Sequence, residues 1–158
     1  MRKNILDNIA AGLETELGRS SNVYSDLKIE DIQTRLPETN TVNYFIGITI
    51  ERANPSDIEI GKFHPAGKLY ECFIVIFIKS GDYNEGQEEL DTIVRRVTKY
   101  LAKDTGSLAG VDINKDDVLE RVISYTVEDF NYIYGETNNG QLAHSCAVRL
   151  NIRTELII

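Results

Sequence analysis

Leu69-Tyr70-Glu71-Cys72-Phe73-Ile74-Val75-Ile76-Phe77-Ile78-Lys79 is the stretch that decides the fold. Successive side chains of a strand point to opposite faces, and here both faces are apolar. Tyr70, Cys72, Ile74, Ile76 and Ile78 share one face, and Phe73, Val75 and Phe77 share the other. A half-solvated strand alternates apolar with polar residues. Two apolar faces mark a central strand, or one covered by another segment or another chain.

Outward from this stretch the pattern becomes one-sided. Residues 42–52 set Val42, Tyr44, Ile46, Ile48 and Ile50 against Asn43, Thr49 and Glu51, which reads as a half-buried strand. Ala53 to Lys68, with Asn54-Pro55, His64-Pro65 and Ala66-Gly67, separates the two strands as a loop far longer than an ordinary hairpin turn. Downstream, Glu85 to Lys103 carries Leu90, Ile93, Val94, Val97, Tyr100 and Leu101 at helical spacing. Asp82, Glu85, Glu88, Glu89 and Asp91 stand at its start and Arg95, Arg96, Lys99 and Lys103 in its later turns, a charge order that complements the helix dipole.

Residues 3–17 read as an N-terminal amphipathic helix, on Ile5, Leu6, Ile9, Leu13 and Leu17, with Gly18 as its C-cap. Residues 23–36 fit either an edge strand or a short helix, ended by Pro37. Residues 118–134 read mainly as strand, with Ile123, Tyr125 and Val127 alternating, although Asn114 and Asp117 also suit the cap of a helical turn holding Val118, Leu119 and Val122. Gly135 to Gly140 is a turn, and Gln141 to Glu155 alternates, with Leu142, His144, Cys146, Val148, Leu150 and Ile152 on one face. The order helix, two strands, helix, two strands predicts one α+β domain over residues 1–158. Its mainly antiparallel sheet of four to five strands has two helices packed on one face.

Composition narrows the function classes. The 158 residues carry 17 basic and 25 acidic side chains, a formal charge of −8, and 42% are hydrophobic. That apolar share excludes a disordered chain, and no apolar run is long enough to span a bilayer. The acidic balance and the lack of a basic run beyond Arg95-Arg96 speak against phosphate-driven nucleic-acid binding. Cys72 and Cys146, both in apolar strands, read as buried thiols of a reduced, cytoplasmic protein, with a disulfide between neighbouring strands as the other option.

Motifs for chemistry are thin. Asp112-Ile113-Asn114-Lys115-Asp116 opens like a calcium loop, but Asp117 stands where that loop needs Gly and Ile123 where it needs Glu. His64, Cys72, His144 and Cys146 lack the compact spacing of a zinc site, so no metal and no cofactor is expected. No nucleophile elbow or phosphate cradle is present, and the expectation is that the chain is not an enzyme. Surplus apolar surface on residues 69–79 points to an interface, unless the 53–68 loop folds over its own sheet.

This layout resembles the tail terminator, or tail-to-head joining, proteins of long-tailed bacteriophages. The resemblance rests on the N-terminal helix (Asn4 to Leu17), the β pair with its long loop (Val42 to Lys79), the helix Glu85 to Lys103, and the closing strand Leu142 to Ile152. It implies a structural virion protein at the head-proximal end of the tail, assembled in the host cytoplasm. Six copies would form a ring that caps the tail tube and offers a docking surface to the head completion protein. The resemblance implies the ring-interface candidates Phe73, Val75, Phe77, Phe63 and His64. It also implies a lumen charged by Asp82, Glu85, Glu88 and Glu89, through which DNA passes without being bound, and it involves no membrane. Competing classes are another self-associating neck or connector component, a dimeric regulatory module with a ligand in its sheet cleft, and a small Cys/His enzyme.

Overall fold

The computed structural model describes residues 2–36, 43–55, 68–102, 112–115, 118–136 and 142–157. In chain order the elements are α1 (Arg2–Leu17), β1 (Asp31–Gln33), β2 (Tyr44–Pro55), β3 (Lys68–Ser80), α2 (Tyr83–Ala102), β4 (Asp112–Lys115), β5 (Val118–Glu136) and β6 (Leu142–Ile157). Among the described residues six strands form one sheet in the order β1-β2-β3-β6-β5-β4, and only the β1–β2 pair is parallel. The α+β class with two helices follows as expected. Four long strands form the body of the sheet, and the three-residue β1 and four-residue β4 flank it.

The two-faced strand is central, between β2 and β6. Its Tyr70, Cys72, Ile74, Ile76 and Ile78 are fully buried beneath the helices. They join Ile46 and Ile48 of β2 and Cys146, Val148, Leu150 and Ile152 of β6, the partners that the register places on the same face. α1 contributes Ile5, Ile9, Leu13 and Leu17, and α2 contributes Leu90, Ile93, Val94, Val97 and Leu101. Each such side chain taken fully out of water contributes roughly 1.5–3 kcal/mol, so this single apolar layer dominates the stability.

Several boundaries differ from the sequence reading, each for a local reason. α2 begins at Tyr83 rather than Glu85, because the Asp82 carboxylate accepts the backbone N–H groups of Asn84 (2.8 Å) and Glu85 (3.1 Å) as an N-cap. β2 and β3 pair out to Pro55 and Lys68, so the ends of the expected loop are strand; its remainder, residues 56–67 with Phe63 and His64, lies outside the described residues. Residues 23–36 are mostly irregular and hold only β1. Within them Leu27 adopts φ 48°, a left-handed conformation that costs an L-residue roughly 1–2 kcal/mol. Its side chain packs against the core, which offsets that strain.

The helical turn considered around Asn114 does not form. Asp112–Lys115 is extended and pairs antiparallel with Val118–Arg121. In β5 the expected alternation of Ile123 with Tyr125 and Val127 also fails. The register slips between Val122 and Ser124, so Val122 turns into the core and Ile123 is 41% exposed. A bulge of this kind resets which residues face inward.

Candidate interaction surfaces

The face of the sheet away from the helices carries the first candidate surface. Phe73, Val75 and Phe77 lie there, half-buried, beside Phe45 of β2 and Ala147 of β6. Part of their cover comes from residues 34–36. A Cβ at Gly47 would stand 2.6 Å from the Arg35 carbonyl and 3.3 Å from Leu36 Cδ2, so only glycine lets this strap cross β2 so closely. Farther along the same face, Arg149 reaches Glu71 and Asp129, each at 3.3 Å, and Arg52 approaches Glu71 at 3.7 Å. Beyond this band lies an open depression of about 310 Å³ lined by Leu69, Ser124, Thr126, Glu128, Asn151 and Arg153. Arg149 Nε and Asn151 Oδ1 are buried here without hydrogen-bond partners.

The second surface was not anticipated from sequence. β4 pairs with β5 only through Arg121, so from Val122 to Glu136 the outer edge of β5 has no strand partner among the described residues. Phe130, Tyr132, Ile133 and Tyr134 lie along this stretch and are 43–57% exposed. Their alternation was visible in the chain, but burial of an alternating strand is the default expectation, and nothing in the sequence marks which strand ends up near the sheet margin. An unpaired strand edge offers a ladder of N–H and C=O groups to another chain.

The acidic candidates occupy the opposite side of the molecule from Phe73, Val75 and Phe77. Asp82 caps α2, and Glu89 accepts a hydrogen bond from the Tyr44 hydroxyl at 2.9 Å. Burial and the Glu89 carboxylate push the Tyr44 phenol up to about 12. Glu85 and Glu88 remain exposed.

The titratable groups of the core are held in their neutral forms. Burial pushes the Cys72 thiol up to about 12 and the Cys146 thiol to about 11. Cys72 stands opposite Leu150 while Cys146 stands opposite Ile76. That four-residue offset on adjacent strands is roughly 13 Å at about 3.3 Å per residue, beyond the ~7 Å limit for a disulfide. The inter-strand disulfide option is therefore withdrawn, and both cysteines are free and buried. His144 is fully buried, with Nδ1 3.1 Å from the Gln87 side-chain amide and its ring against Tyr134 (5.3 Å) and Tyr83 (5.7 Å). Burial lowers its pKa below the ordinary 6.5, although Glu89 pulls the other way. With the amide of Gln87 donating to Nδ1, the neutral ring carries its proton on Nε2, which has no partner. Among the described residues no group of three or more His, Cys, Asp or Glu side chains is placed to hold a metal ion. No described helix is long and apolar enough to cross a membrane.

No family model and no curated protein matches this chain. A chain from the virion of a native gene transfer agent particle is similar in structure, with a TM-score of 0.44 and 10% identity over 78% of each chain. A likeness at that level carries no argument about function.

Proposed function

We propose that the chain is a structural virion component of the tail-terminator kind: a homo-oligomeric ring of six copies that caps the tail tube and presents a docking surface to the head. The observation that carries this reading is the combination, among the described residues, of a sheet face without a helix, bearing half-buried Phe73, Val75 and Phe77, with the unpaired aromatic edge of β5. Exposed apolar surface next to an open strand edge is the physical requirement of an assembling protein. The two candidate sets lie on opposite faces of the sheet, which refines the ring. Its lateral contacts fall to the sheet edges, so that one face carries Asp82, Glu85 and Glu88 toward the lumen and the other meets the tube or the head. A heterologous contact of one edge with the other closes into a ring when its rotation divides the circle.

An acidic lumen repels duplex phosphate and lets DNA pass unbound. The thiols of Cys72 and Cys146, held protonated in the core, support a non-enzymatic role. The partners in this reading are further copies of the chain, the tube protein and the head completion protein.

Negative-stain imaging of the protein mixed with tail tubes tests the reading. A ring on one end of each tube is the expected result, and Phe73→Asp is expected to abolish it while the monomer still folds, as read by circular dichroism. Bare tube ends at saturating protein overturn the proposal.

A further inference from the structure

The outer side of α2 carries a charge pattern that helix stabilisation alone does not require. Glu85, Glu88 and Glu89 in its first half, and Arg95, Arg96 and Lys99 in its second, recur at three- and four-residue steps. They therefore form one stripe, opposite the buried Leu90, Ile93, Val94 and Val97. The stripe is symmetric about Thr92. Glu85 and Lys99, Glu88 and Arg96, and Glu89 and Arg95 are each equidistant from that residue in the chain.

From this symmetry we infer that α2 docks antiparallel against α2 of a second copy, about a two-fold axis through Thr92. In that arrangement Glu85, Glu88 and Glu89 each meet a base of the partner and each pairing occurs twice, while Asp91, at the margin of the stripe, has no basic counterpart. The register is selective. Sliding one helix by a single turn leaves one opposite-charge pair per half, and a parallel arrangement sets like charge against like.

One side of the contact is already shaped. Arg96 lies over the Tyr24 ring at 4.1 Å and bonds Asp26 at 2.8 Å, so its long side chain is held in place before a partner arrives. Beside it an open groove of about 300 Å³ runs between Tyr24 and Thr92, Arg95 and Lys99, and it receives Glu88 of the second copy. Glu85, Glu88, Arg95 and Lys99 are exposed, and none of them forms an ion pair within the described residues. A nucleic acid does not suit this surface, because the acidic half of the same stripe repels phosphate. The dimer is a state of the free protein: it covers Glu85 and Glu88, which the ring reading turns to the lumen, whereas ring closure engages the sheet edges.

Exposed ion pairs are individually weak and screened by salt, so the association is salt-labile. Sedimentation velocity on the full chain is the test. At about 0.05 M salt the mass rises with concentration toward twice 17.8 kDa, and at about 0.5 M salt it returns to the monomer. Arg95→Glu/Lys99→Glu and Glu85→Lys/Glu89→Lys each remain monomeric at low salt, and mixing the two variants yields a heterodimer. A wild-type monomer at every concentration, association that persists in both charge-reversed variants, or a mixture that stays monomeric each overturns the inference. Capping of tail tubes by Arg95→Glu/Lys99→Glu is unaffected, so loss of this dimer and failure of the ring are separate results.

Discussion

Replacing Gly86 by alanine is expected to destabilise the protein, against the usual trend for a glycine inside a helix. Alanine at an unconstrained helical position gains roughly 1 kcal/mol over glycine. At Gly86 a Cβ would fall under 3.0 Å from the Cδ2 and Nε2 atoms of His144, and 3.0 Å from Ser80 Cβ. The ring cannot retreat freely to the 3.4 Å of ordinary contact, because it is fully buried and hemmed by Tyr83, Tyr134 and Gln87. Forcing extra volume into such a place costs about 1–3 kcal/mol, and the Gln87–His144 hydrogen bond contributes about another 1 kcal/mol that is put at risk. The balance is a net loss of roughly 1–3 kcal/mol, or a melting temperature lower by about 2–12 °C for a chain of this size. Thermal unfolding followed by circular dichroism measures it. Gly81→Ala, where a Cβ meets nothing within 4 Å, is the matched control and stays near wild type. In a His144→Ala background the same Gly86→Ala change becomes stabilising, because the obstruction has gone. A melting temperature that rises on Gly86→Ala in the wild-type background refutes the packing argument.

His144 has a lowered folded pKa, so on acidification the unfolded chain takes up a proton before the native one does; its contribution is intact above 6.5 and is lost as pH falls below that value. Urea midpoints between about pH 7.5 and pH 5.5, above the carboxylate range, should therefore fall in the wild type and flatten in His144→Leu. Cys72 and Cys146 should react with a thiol reagent at least about a hundredfold more slowly in the native protein than in denaturant, since both need an opening of the sheet; prompt native labelling of either would contradict their burial. Gly47→Ala should drive the Arg35–Leu36 backbone off the second sheet face, read as faster amide exchange over residues 32–36 with the α2 amides unchanged.

How much of this was legible depends on whether a signal was periodic or positional. The central placement of β3 followed from its two apolar faces, and the stripes of α1 and α2 fixed which sides they bury. Residues 118–134 are strand as their pattern predicts, but the alternation of Ile123 with Tyr125 and Val127 fails because periodicity assumes an unbroken register, and the slip at Ile123 is set by cross-strand geometry. Asn114 matched a cap by type, yet β5 offered it a ladder instead. Among the candidate residues, Phe73, Val75 and Phe77 fell together on one face as their spacing required. Phe130, Tyr132 and Tyr134 were overlooked because their exposure depends on β4 being too short to cover them, a property of the neighbouring strand. Asp82 illustrates the converse: a residue chosen for its charge proves to have a local task in starting α2.

The position of β6 has a consequence for how the chain acquires its shape. β6, the last strand among the described residues, lies in the middle of the sheet, and its Cys146 meets Ile76, 70 positions earlier in the chain. Until β6 arrives, one side of β3 has no partner, and the oily layer beneath the helices lacks Val148, Leu150 and Ile152. A nascent chain leaving the ribosome therefore holds its stickiest segment open until residues 142–157 have been made. Pairing at such separation slows folding far more than it changes the final stability. Acquisition of the fold thus waits on the last strand, and molecules interrupted before residue 142 have aggregation as their main fate.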